Sequence, residues 1–108
     1  MKKINVVPYI ISIHPKEGGM TEVPFNVRES IITLLFMPSL KLNAVELLKQ
    51  NDLAEKISKS EGEILLEEAE YDRVRNAVSS FEGFAKEHVE FVKRVLEAET
   101  VKVEEAKN

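Results

Sequence analysis

A chain of 108 residues with 19 acidic and 15 basic side chains carries a formal net charge of −4, which repels polyanionic partners on average. Hydrophobic residues make up 44% of it, charged residues 31%, and cysteine is absent. That composition belongs to a globular chain rather than a disordered one, and it excludes disulfides, thiolate metal centres, iron–sulfur clusters and cysteine nucleophiles.

The length suits a single domain with one core over 1–108, with 104–108 expected as a frayed tail. Lys2 and Lys3 follow Met1. Asn5, Pro8 and then His14-Pro15-Lys16 interrupt the apolar stretch that follows, with no small-residue cleavage site, so no secretory leader is expected. The longest apolar run, Ile31 to Met37, is far short of the roughly 20 residues that cross a bilayer. No membrane association is therefore expected, and a cytoplasmic protein is.

Residues 3–13 (KINVVPYIISI) are rich in β-branched side chains, and 21–27 (TEVPFNV) alternate with Val23, Phe25 and Val27 on one side. Two such runs around a loop ending in Gly18-Gly19 predict an N-terminal β-hairpin. Pro8 and Pro24 donate no ladder hydrogen bond and belong at an edge, a strand end or a bulge. Read as one strand, 3–13 is apolar on both faces. Ile4, Val6 and Ile10 point one way, and Val7, Tyr9, Ile11 and Ile13 the other. A strand of that kind needs cover on two sides, so these seven residues form the candidate interface.

The helices are marked by their caps. Asn26 with Glu29, Asn43 with Glu46, and Asp52 with Glu55 each place a polar cap three residues before a glutamate. The first helix is expected near 27–37, ending before Pro38. The second starts at Ala44 with the stripe Val45, Leu47, Leu48. A cap at Asp52 suggests a break into two short helices, a single bent helix being the alternative, with Leu53, Ala54 and Ile57 resuming the stripe. After a turn at 59–62, Glu63-Ile64-Leu65-Leu66 predicts a short strand. A helix over 68–81 buries Tyr71, Val74, Ala77, Val78 and Phe81, and Gly83 ends it. The last helix, 85–98, carries Val89, Val92, Val95 and Leu96 inward, with Glu90 and Arg94 paired on its outer face. Thr100 to Val103 reads as a final strand. The whole is an α+β fold, an N-terminal β-hairpin and short later strands packed with four or five short helices.

No motif supplies a catalytic constellation or a cofactor site. His14 lies in the hairpin loop and His88 at the edge of the last helix's apolar stripe, without the paired spacing of a metal site. The run Glu61, Glu63, Glu67, Glu68, Glu70, Asp72 lacks the pattern of a calcium loop and reads as a solvated, dipole-complementing face. Lys16 to Thr21 has glycines beside a lysine but not the order of a phosphate loop. Leu53 to Ile64 superficially resembles a helix-turn-helix phrase, yet its reading helix would carry five acidic residues towards phosphates, which argues against direct DNA binding.

The leading expectation is a non-enzymatic protein-interaction or assembly module that binds a protein partner and self-associates as a homo-oligomer through the N-terminal strand. Two alternatives stand beside it. One is a nucleic-acid-linked or transcriptional regulator acting through protein contacts or an acidic surface, in keeping with the small acidic accessory proteins of phages and mobile elements. The other is a small enzyme built on His88 and non-adjacent carboxylates, which requires a polar pocket holding His88 and at least two carboxylates.

Overall fold

The computed structural model describes residues 1–13, 19 and 21–102. In chain order these form β1 (Lys2–Asn5), β2 (Tyr9–Ile13), β3 (Thr21–Phe25), α1 (Val27–Leu35), α2 (Ala44–Ser58), β4 (Glu63–Leu66), α3 (Glu68–Ser80), α4 (Val89–Leu96) and β5 (Glu99–Thr100), with 3-10 turns at Pro38–Leu40 and Lys86–His88. The α+β architecture expected from the sequence is the one observed: four α-helices with two small antiparallel sheets among the described residues.

The N-terminal segment departs from its expected form. It is two strands in two different sheets. β1 is the centre of a three-stranded sheet of order β4-β1-β5, whereas β2 pairs only with β3. Pro8 is the cause, because it has no N–H and biases Val7 away from compact conformations. The Asn5 side chain closes the corner by accepting from the Val7 N–H at 2.9 Å. With the chain redirected there, Ile4 (0% exposed) and Val6 (3%) enter the core. They pack with Ile64 and Leu66 of β4, Val27, Ile31 and Leu35 of α1, Val74 and Val78 of α3, and Phe91 and Val95 of α4 in one buried cluster.

The first two caps form as expected. Asn26 Oδ1 accepts from the Glu29 N–H at 2.9 Å and Asn43 Oδ1 from the Glu46 N–H at 2.8 Å, each worth about 1 kcal/mol. The third does not, since α2 runs unbroken through Asp52. Its inward face is Gln50, Leu53, Ala54 and Ile57, all buried. Val45 and Leu48, expected in the stripe, lie about half a turn away from that face and are exposed, as is Leu47. Gln50 takes the inward place because it has polar work there. Its Nε2 donates to the Leu35 carbonyl at the end of α1 (3.0 Å), and its Oε1 accepts from Arg73 of α3 (3.0 Å).

α3 buries Tyr71, Val74, Ala77 and Val78 as its spacing predicts, whereas Phe81, also expected on that face, is half-buried just past the helix end. α4 agrees only in part: Val95 is buried as expected and Val92 packs half-buried against the core, but Phe91 takes the other inward place, and Val89 and Leu96 are exposed. The buried pair is the i, i+4 pair Phe91/Val95, with the Phe91 ring 5.5 Å from that of Phe25 on β3. The final strand is short, and Val101 N–H donates to the Met1 carbonyl at 2.7 Å. His14, the Lys16–Gly18 loop residues, Val103 and the tail 104–108 lie outside the described residues.

Candidate functional site

The β2–β3 hairpin is anchored at one end. Tyr9 pairs with Phe25 across the ladder, and their rings stack at 5.1 Å. Phe25 meets Phe91 and His88 at 5.5 Å each. The Tyr9 hydroxyl donates to the Glu87 carbonyl (3.0 Å) and accepts from the Phe91 N–H (3.1 Å). Phe91 stands in the first turn of α4, where the helix offers no acceptor of its own, so this side chain caps a helix from another element. Burial pushes the Tyr9 phenol above its usual pKa, partly opposed by the hydrogen bond from Phe91.

Arg94 completes the anchor. Its guanidinium donates to the carbonyls of Val7 (2.6 Å) and Asn5 (3.3 Å), pairs with Glu90 at 2.8 Å, and stands 5.0 Å from the centre of the Tyr9 ring. The Glu90–Arg94 pair expected from the sequence is present. Its second role, tying α4 to the corner between β1 and β2, has no local sequence signal.

Of the seven candidate interface residues, Ile4 and Val6 are removed by their burial in the core. Val7 (47% exposed) and Ile10 (62%) face solvent, Tyr9 and Ile11 are half-buried, and Ile13 holds the last ladder position opposite Thr21. Beside β2 runs a groove of about 850 Å³ whose walls include Ile10, Ile11, Val89, Lys86, Glu90 and Lys93.

The strand pairing decides which backbone groups face outward. Pro24, opposite Ile10, cannot donate, so this pair occupies a non-hydrogen-bonded site and the bonded pairs are Tyr9/Phe25, Ile11/Val23 and Ile13/Thr21. Ile10 and Ser12 then turn their N–H and C=O groups to the outer edge of β2. β3 turns out those of Glu22 and Pro24. One edge thus carries a proline and a charge, two devices that blunt strand addition. The other, within Tyr-Ile-Ile-Ser-Ile, has neither.

His88 belongs to an aromatic cluster, with its ring 5.5 Å from those of Phe25 and Phe84. Its Nδ1 accepts from the Ala85 N–H at 2.8 Å. The adjoining groove of about 320 Å³ has Glu29 as its one carboxylate among the described residues, so the two carboxylates required by the enzyme reading are not assembled there.

The acidic run is dispersed. Glu63 lies 3.7 Å from Lys3 and Glu70 2.7 Å from Lys56. Burial acts to raise the Glu70 carboxyl, but hydrogen bonds from Lys56 and from the Glu67 N–H outweigh it and hold the group below its ordinary range. Among the described residues no cluster of three histidine, aspartate or glutamate side chains could hold a metal ion, and no helix is long and apolar enough to cross a membrane. The helix-turn-helix phrase is not one, since Glu63–Leu66 is a strand. No family model, curated protein or solved structure matches the chain.

Proposed function

We propose that this chain is a non-enzymatic protein-interaction module that self-associates through its N-terminal β2–β3 hairpin, working in the cytoplasm. One observation carries the reading: the outer edge of β2 is unpaired among the described residues and lacks the charges and prolines that protect the edge of β3. Two-stranded ribbons are marginal in water unless more strands or a helix cover them. Here α4 covers one end, through Tyr9 and Phe25, and leaves Ile10 in solvent. Val7, next to the hairpin, adds a second exposed apolar side chain. A second strand along β2 would satisfy the edge and cover Ile10 together.

Sedimentation equilibrium across micromolar concentrations tests this. The expected result is a mass that climbs above the 12.3 kDa of one chain as concentration rises, and that returns towards it when Ile10 is replaced by lysine. A strict monomer throughout the range would refute the proposal.

A further inference from the structure

We infer that two copies join β2 to β2, antiparallel and edge to edge, about a two-fold axis passing beside Ile11; this rests on the self-association reading and specifies its geometry. The outward groups of β2 are those of Ile10 and Ser12, one residue on either side of Ile11. In an antiparallel ladder, a bonded pair exchanges both N–H···O bonds. Setting Ile10 opposite Ser12 of a second copy makes such a pair. The two-fold axis makes it again with the roles reversed, and Ile11 then faces its own counterpart at a non-hydrogen-bonded site. All four outward donors, two from each copy, gain acceptors in this one register. A slip by one residue would place inward-turned groups opposite outward ones and satisfy none of them.

The surroundings favour a second copy of this chain as the occupant. β2 brings no charge to the contact. The groove wall beside it carries Lys86 and Lys93 against Glu87 and Glu90, so the contact itself concentrates neither sign of charge where two copies would meet. The groove also leaves room along the edge, with Val89 exposed on its wall. Pairing β3 to β3 instead would set Pro24, which has no donor, where a bond is needed.

Because the native chain has no cysteine, Ile11→Cys gives a clean test. Opposed residues at a non-hydrogen-bonded site hold their Cβ atoms about 4.5–5.5 Å apart, close to disulfide range. Under mild oxidation the disulfide-linked dimer is expected as the main product. Val7→Cys, exposed but off the strand, should stay single-chained.

A second variant, Ser12→Pro, removes one outward donor per copy and no bond within the hairpin, just as Pro24 sits at a non-bonded site of β3. Losing two hydrogen bonds at the interface should weaken the dimer roughly 30-fold. If the native mass shows a dimer but Ile11→Cys stays unlinked and Ser12→Pro associates normally, edge pairing is refuted and self-association survives. Equal cross-linking of Val7→Cys and Ile11→Cys also refutes the register. A native monomer at every concentration removes both proposals.

Discussion

Replacing Tyr9 by phenylalanine would isolate what one hydroxyl does for the hairpin. The ring stays, and with it the stack on Phe25 at 5.1 Å and the contact with the Arg94 guanidinium. The variant loses the donation to the Glu87 carbonyl and the acceptance from the Phe91 N–H. Each such bond is worth about 1 kcal/mol net. Water can take over part of the exposed one, whereas Phe91 loses a cap in the first turn of α4. The expected cost is therefore about 1–2 kcal/mol, or roughly 4–8 °C in Tm for a chain of this size. Urea denaturation measures the loss, and hydrogen exchange locates it, with the Phe91 amide exchanging faster in the variant. A loss below about 0.3 kcal/mol with unchanged exchange at Phe91 would show that the hydroxyl does not couple the hairpin to α4.

Alkaline pH probes the same group. Burial raises the phenols of Tyr9 and Tyr71 above their usual value, so the unfolded chain releases these protons first. Their contribution is complete below about pH 10 and falls as pH rises through the folded values. Urea midpoints measured from about pH 8 to about pH 11 should decline, and less steeply in Tyr9→Phe. In Glu70 the sign is reversed: its lowered pKa gives stability present above the ordinary carboxylate range and lost as pH falls through the folded value. Glu70→Gln should cost about 0.5 kcal/mol at neutral pH and progressively less in acid, as read from denaturation midpoints. Gln50→Ala should cost about 2–3 kcal/mol by urea denaturation, since it strips a buried acceptor, the Leu35 carbonyl, of its donor. Phe91→Ala should cost about 3–5 kcal/mol, whereas Leu48→Ala, at a position 65% exposed, should fall within about 0.5 kcal/mol in the same assay.

The first two helix starts were legible because capping is local. Asn26 and Asn43 each reach an amide three residues away, so the sequence contains both partners. The same holds for the buried spacing of α3 and for the strand at Ile64 to Leu66, whose neighbours on either side are turns or caps. Asp52 carries the same signal without using it, because α2 had already begun and propagating a helix is easier than restarting one.

What the sequence by itself determined was the α+β class, the positions of most elements, and a greasy N-terminus that needs cover. Only the tertiary structure decided which of those greasy side chains the fold covers itself. Ile4 and Val6 went to the core because Pro8 turns the chain and β4 and β5 flank β1. Gln50 went inside and Leu48 outside because α1 ends where an amide can reach its last carbonyl. The unprotected edge of β2 became visible once pairing fixed which way Pro24 faces. Each of these outcomes depends on a partner in another segment of the chain, and spacing within one segment carries no record of it.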